Sequence, residues 1–433
     1  MVQRNTSREY VRTFFTSPTA VEEDDTAKML RKAGELRGMQ APDVWVPDNE
    51  DATAPSMRDE GIENIIDVIS EHGQDFPGEI HPRMVWHRDD PETRRQGFEH
   101  MMQLAGSDED VIEHIDGFVI PEVGSLDDWK KADEFITMVE AEHGLEEGSL
   151  SMSPIVESGE AEIAMSRLND EIGKHSNNLE RLFLLVDGEV DYTKDMRAMT
   201  PTGAQPPWAE LRHNTSRAAS ASGLIAVDGP YDDIRDVEGY RQRMTDNRAK
   251  GMLGIWSLTP GQVVEANKAP LPAEEGSYLL EIDGETVELD RVDEGYHEYT
   301  GDDVELEELG DGTYRLRIGQ DERELNEDDL HQELLDQTQY VMSMDDYVDS
   351  MEEFEAAKAG GKGAISMTRT ATLILDGTEV QVTRDRMWDE ATYQAAQTPV
   401  SLFQEVYEAR PDQQDELEGM YGEDVVDRAM QVG

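Results

Sequence analysis

Apolar residues are distributed along the chain in two regimes. From about Arg12 to Asn267, short apolar runs alternate with longer amphipathic stretches. A short apolar run bounded by polar residues reads as a buried strand, and a longer stretch with apolar positions three or four apart reads as a helix laid over it. Thr13–Thr16, Val44–Pro47, Glu79–Val85, Gly117–Ile120, Met152–Val156, Arg181–Val186, Leu224–Val227 and Gly254–Ser257 are the predicted strands. Strand and helix in regular alternation imply a parallel sheet, and this number of repeats favours a closed (β/α)8 TIM barrel over an open sheet.

Beyond Pro270 the pattern changes. As far as about Glu327 it is short and alternating, as in Tyr278-Leu279-Leu280-Glu281-Ile282 and Thr313-Tyr314-Arg315-Leu316-Arg317-Ile318, with hairpin signals at Asp283-Gly284 and Asp311-Gly312. From Leu330 onward it is mainly helical, with one hairpin around Asp376-Gly377 and an amphipathic tail from Glu390 to Met430. The expected organisation is a barrel over 1–269, a small antiparallel β insertion over 270–329 and a helical C-terminal domain over 330–433.

Composition narrows the function classes. The 433 residues include 97 acidic and 38 basic side chains, a formal charge of −59, which repels phosphate backbones and anionic membrane surfaces. Nucleic acid and membrane are therefore excluded as expected partners. With 37% hydrophobic residues, arranged in runs such as Leu182-Phe183-Leu184-Leu185-Val186, the chain has the material for a core and is not a disordered acidic polymer. A surface this acidic suits molar salt, where the screening length falls to ~3 Å and like-charge repulsion becomes tolerable, so the source is expected to be a halophile. Met1 to Tyr10 lacks the apolar core of a signal peptide and no later segment has a membrane-spanning run, so a cytoplasmic location is expected. The absence of cysteine rules out disulfides, thiolate metal sites and a cysteine nucleophile.

Barrel enzymes carry their chemistry in the loops after the strands. Asp48, Glu50 and Asp51 follow the second predicted strand, Arg83 lies in the third, Glu157 ends the fifth and Asp191 follows the sixth. Glu157 and Asp191 can share a hard divalent cation completed by water and substrate oxygens, an arrangement suited to Mg²⁺. Zinc is a poorer match, because none of the ten histidines has zinc-type spacing. In a chain this acidic, each carboxylate taken singly reads more readily as a solvated or helix-capping group than as a ligand.

Arg12-Thr13-Phe14-Phe15-Thr16-Ser17-Pro18, followed by Val44 through Pro55, looks like the opening of members of the citrate lyase β-subunit and malate synthase superfamily, and more blocks of its members follow in order. Asp116-Gly117-Phe118-Val119-Ile120-Pro121-Glu122-Val123, Ile155-Val156-Glu157-Ser158-Gly159-Glu160-Ala161 and Gly254 through Gln262 are similar to three further blocks, with Thr259 standing where many relatives have histidine. Two segments are similar to malate synthases in particular: Gly188-Glu189-Val190-Asp191-Tyr192 and Trp388-Asp389-Glu390-Ala391-Thr392.

The resemblance implies an Mg²⁺-dependent condensation of acetyl-CoA with glyoxylate, followed by hydrolysis to malate and CoA. It implies Glu157 and Asp191 as metal ligands, Asp389 as the general base and Arg83 as the cation that stabilises the enolate and alkoxide. Gly188, Glu189 and Val190 would receive the glyoxylate carboxylate, with Asp48, Glu50 and Asp51 also at the substrate, and Trp256 and Pro260 would contact CoA. Relatives commonly assemble as trimers or hexamers, so a homo-oligomer is expected. Two other readings stand beside this one: a malyl-CoA or citramalyl-CoA lyase, and a non-catalytic CoA-binding barrel.

Overall fold

Pro82 interrupts what would otherwise be the longest predicted strand of the barrel, because proline has no N–H to give a ladder. Glu79–Ile80 pairs as a strand, and Arg83 follows as an isolated bridge. In the computed structural model, which describes residues 10–433 except 108, 173–178, 200–207, 284, 294 and 311, eight parallel strands occupy the predicted places. They are β1 (Thr13–Pro18), β2 (Val44–Asp48), β3 (Glu79–Ile80), β4 (Gly117–Ile120), β5 (Ser151–Val156), β6 (Leu184–Asp187), β7 (Ile225–Pro230) and β8 (Gly254–Ser257). Their order in space is β3-β2-β1-β8-β7-β6-β5-β4.

Arg83 joins the two ends of that order. Its backbone bridges Asp48 on one side and Val119 on the other, and Met84 N–H donates to the Val119 carbonyl at 3.2 Å. The sheet thus comes round to a barrel through a short irregular seam. The sixth strand begins later than the sequence pattern predicts, at Leu184, because Arg181 is drawn aside to the carboxylates of Asp133 and Glu140.

The interior is filled by Phe14, Val46, Val119, Ile155, Phe183, Val227 and Trp256. Outside, helix residues such as Leu30, Ile65, Leu104, Trp129 and Ile136 form the larger core against the opposite faces of the strands. At the start of β1 the buried Arg12 donates to both oxygens of Asp43, at 2.9 Å from Nε and 2.8 Å from Nη2, and to the Asn267 carbonyl at 2.9 Å. Asn267 in turn donates to the carbonyls of Met39 and Ala41 at 2.9 and 3.0 Å. One polar cluster therefore ties the first strand to the last helix of the barrel.

The chain divides into two compact units, Met1–Pro270 and Leu271–Gly433. In the second, β9 (Ser277–Ile282) lies between β10 (Glu285–Glu288) and β16 (Thr338–Val341), and β13 (Val304–Gly310), β14 (Thr313–Ile318) and β15 (Asp321–Asn326) form a second antiparallel sheet. A third sheet runs β11 (Asp290–Asp293), β12 (Tyr296–Tyr299), β17 (Ala364–Leu375), β18 (Thr378–Asp389). Residue 330 is therefore not a boundary: β9 pairs with β16 and β12 with β17, so the two stretches read separately in the sequence share sheets. Periodicity cannot reveal such pairings, because each strand's own pattern is the same whichever partner it meets.

The hairpin at Asp376-Gly377 is tight, with Leu375 opposite Thr378 and φ values of 48° and 73° at its two loop residues. Of the other two predicted turns, Gly284 and Asp311 lie outside the described residues. Helices Glu327–Gln337, Met344–Ala359, Glu390–Ala409, Gln414–Tyr421 and Glu423–Ala429 complete the unit. Among the described residues no helix is long and apolar enough to cross a membrane.

Candidate active site

Arg83 reaches the C-terminal end of β2 from the barrel seam. Its Nε donates to Asp48 Oδ1 at 2.7 Å and its Nη2 to Asp48 Oδ2 at 2.6 Å, while Glu50 and Asp51 lie 3.2 and 3.8 Å from Nη2. The guanidinium also sits over the Trp256 ring, 5.4 Å from its centroid. Trp256 is fixed beneath it by a 2.9 Å hydrogen bond to Thr16 Oγ1 and an edge-on contact with Phe14. The acids expected at the substrate thus surround Arg83: Asp48 is a buried bidentate partner, Glu50 a half-shielded neighbour and Asp51 an exposed one. Burial pushes the Glu50 carboxyl up to about 8, against the opposing pull of Arg83.

Glu157 ends β5 and is buried. Burial raises its carboxyl well above the usual range; Glu122 N–H, donating to Oε1, and Arg83 oppose that rise, while the charges of Glu122 and Asp191 add to it. Asp191 lies in the first turn of the helix Glu189–Asp195, where Lys194 meets it at 3.0 Å. Gly188 is what permits this arrangement: a Cβ there would lie 2.6 Å from the Glu157 Cβ and 2.8 Å from Oε2. The buried Glu157 and the partly exposed Asp191 repel each other and are a donor set that a divalent cation would neutralise, and Mg²⁺ needs no more than one or two protein carboxylates when substrate and water supply the rest.

Glu122 was not singled out in the sequence, although it follows a predicted strand as the others do. Its N–H donates to Glu157, and its carboxylate accepts from Arg88 at 3.1 Å. Arg88 also reaches Asp195 at 3.1 Å.

A second set of residues that sequence reasoning missed lies between β6, β7 and the helices behind them. Arg243 donates to Asp228 Oδ2 at 2.5 Å and to Glu189 Oε2 at 2.7 Å, and Arg212 takes the other Glu189 oxygen. Asn247 donates to Asp228 at 2.7 Å, and Thr215 to Asp187 at 2.5 Å. Burial and the charge of Asp228 raise the Asp187 carboxyl well above the usual carboxylate range. Acids closing two adjacent strands were the available signal, but their partners come from helices far along the chain.

This network changes the picture for Glu189, whose carboxylate is committed to Arg212 and Arg243. Of its neighbours, Gly188 lies against Glu157, and Val190 exposes its side chain. Pro260 opens the helix Pro260–Lys268 behind Thr259, whose hydroxyl caps it by accepting from Gln262 N–H at 3.2 Å. Trp256, expected at CoA, is a buried interior residue of the barrel.

In the second unit, Asp389 ends β18 and caps the helix Glu390–Ala409. Oδ1 accepts from Thr392 N–H at 2.9 Å and from the Thr392 hydroxyl at 3.1 Å. These hydrogen bonds hold its exposed carboxyl below the usual range, so it stays ionised.

The barrel's residues 100–259, which include Glu157 and Asp191, match the family model of the HpcH/HpaI aldolase/citrate lyase domain. Residues 278–394 match the malate synthase H C-terminal domain. The chain is 72% identical over 434 residues to the malate synthase of Haloferax volcanii, covering all of both. Solved structures of Haloferax volcanii malate synthase cover 99% of this chain and are covered completely in return, with a TM-score of 0.63 in each case. One is a pyruvate/acetyl-CoA ternary complex at 66% identity, the other a magnesium/glyoxylate complex at 61%. The chain belongs to the malate synthase family.

Proposed function

We propose that the protein is a malate synthase: it condenses acetyl-CoA with glyoxylate and hydrolyses the product to malate and CoA, with Mg²⁺ bound. The observation that carries this reading is the match of the chain from end to end to a malate synthase, and the charges of Arg83 and Asp191 acting on the buried Glu157 support it.

Glu157 and Asp191 would hold the metal, and the Mg²⁺ complex of the Haloferax relative supports that choice. The bound ion supplies Lewis-acid polarisation of the glyoxylate aldehyde. The first-turn N–H groups of Glu189 and Val190, which have no intrahelical acceptor, would take the glyoxylate carboxylate. Arg83 is a fixed cation with several donors, and it stabilises negative charge first on the thioester enolate oxygen and then on the alkoxide. Its clamp by Asp48 and its seat on Trp256 hold it in one orientation. Asp389, kept ionised by Thr392, would accept the methyl proton of acetyl-CoA.

The match of residues 278–394 to a malate synthase C-terminal domain favours synthase over simple lyase. A cytoplasmic homo-oligomer, trimer or hexamer, completes the proposal, and the charge of −59 supports its adaptation to salt.

Release of CoA thiol from acetyl-CoA and glyoxylate, followed with a thiol-reactive dye in molar KCl with Mg²⁺, tests it. The chain has no cysteine, so the dye reports CoA alone. Thiol release that needs both substrates and stops on adding EDTA is expected. Cleavage of malyl-CoA to acetyl-CoA and glyoxylate without thiol release would replace this reading with a lyase.

A further inference from the structure

The β17–β18 ribbon of the second unit has two unlike faces. Side chains alternate along each strand, and the register sets Met367 opposite Arg386 and Arg369 opposite Arg384. With Trp388 two residues further on, these side chains share one face, which together with Tyr340 lines a cavity of about 380 Å³. The other face carries Ser366, Thr368 and Asp385; Asp385 also borders the cavity, but its carboxylate accepts from the Thr368 hydroxyl.

The charge inside the cavity is not balanced. Arg369, stacked 5.3 Å over the Tyr340 ring, is paired with Asp346. Arg384 donates through Nη2 to the carbonyls of Leu335 and Thr338 and, at 2.6 Å, to Thr338 Oγ1, while its Nε is buried without a hydrogen-bond partner among the described residues. Arg386 has neither hydrogen bond nor ion pair among the described residues, in a chain with 97 acidic side chains to choose from. The uncommitted fork of Arg386, beside the partly engaged Arg384 in a cavity walled by Trp388, Tyr340 and Met367, suits an anion that also carries a flat ring. Guanidinium forks match phosphate oxygens, aromatic faces match a purine, and the volume is that of a small-molecule site rather than of an inorganic ion.

We propose that this cavity binds a phosphorylated purine nucleotide group. Two sources share that chemistry: a free nucleotide, or the nucleotide end of the CoA thioester, the second resting on the function proposed above. The cavity wall ends at Trp388, one residue before Asp389.

Isothermal titration calorimetry on the full chain in molar KCl tests the site with adenosine 3′,5′-bisphosphate and with AMP as probes. Arg386 is exposed, so Arg386→Gln is expected to fold normally and to weaken binding by about tenfold or more, with Arg386→Lys in between. A parallel rise in the KM for acetyl-CoA assigns the site to the CoA nucleotide; weakened binding of both probes with unchanged KM assigns it to a free nucleotide. Should thiol release prove absent altogether, the calorimetry still decides the matter. Failure of either probe to bind the unaltered chain, or equal affinity in Arg386→Gln, overturns the proposal.

Discussion

Arg83 and Asp48 lie side by side at the end of the second barrel strand, joined by two hydrogen bonds of 2.7 and 2.6 Å and both almost fully buried. Because the pair is out of water, each charge depends on the other. Asp48→Asn keeps the shape but leaves Arg83 undercompensated, and a loss of ~3–5 kcal/mol in unfolding free energy is expected, read by denaturation at fixed KCl. Arg83→Lys retains the charge and loses the fork, so kcat for thiol release should fall by a factor of about 10² or more with the fold intact.

Gly188 is required for close approach rather than for an unusual backbone conformation. Adding one methyl group puts it 2.6 Å from the Glu157 Cβ. Gly188→Ala should therefore displace Glu157 from Asp191 and raise the Mg²⁺ concentration needed for half-maximal activity by about tenfold or more. Unchanged Mg²⁺ dependence would separate Glu157 from the metal.

Arg243 bridges Glu189 on the helix Glu189–Asp195 to Asp228 on β7. Arg243→Met leaves two buried carboxylates facing each other, with an expected loss of ~3–5 kcal/mol in stability. Since Asp191 rides on the same helix as Glu189, Mg²⁺ affinity should weaken as well, whereas a purely structural role would lower the unfolding midpoint alone.

Asp389 serves as a helix cap, and asparagine caps as well as aspartate does. Asp389→Asn should thus leave the unfolding midpoint nearly unchanged while condensation falls by about 10² or more, with Mg²⁺ and glyoxylate binding retained. Near-normal turnover in this variant would remove Asp389 from the chemistry and leave only the cap.

Glu50 gives a pH dependence of stability. Its carboxyl titrates near 4.5 when unfolded and at about 8 when folded, chiefly because it is buried. The folded state therefore holds the extra proton, and stability falls as pH rises from 4.5 toward 8 and levels off above it. Glu50→Gln removes this term, so its melting temperature should gain on that of the unaltered chain between pH 5 and pH 8.

The first unit was legible in the sequence because parallel strands buried on both faces are written as near-continuous apolar runs, as in Gly117–Ile120 and Gly254–Ser257, whose bounds the structure reproduces. Residues following those runs, Glu157 and Asp191 among them, were candidates on position alone, and the resemblance supplied their roles. What only the tertiary structure decided is which groups meet. That Asp48 clamps Arg83, that Glu189 is held by Arg212 and Arg243, and that β12 pairs with β17 across residue 330 are facts of long-range contact. Local pattern records whether a side chain is buried, since burial selects residue type position by position. It does not record the partner, because any arginine can neutralise any carboxylate and any alternating strand can pair with another until the packed chain brings two of them together.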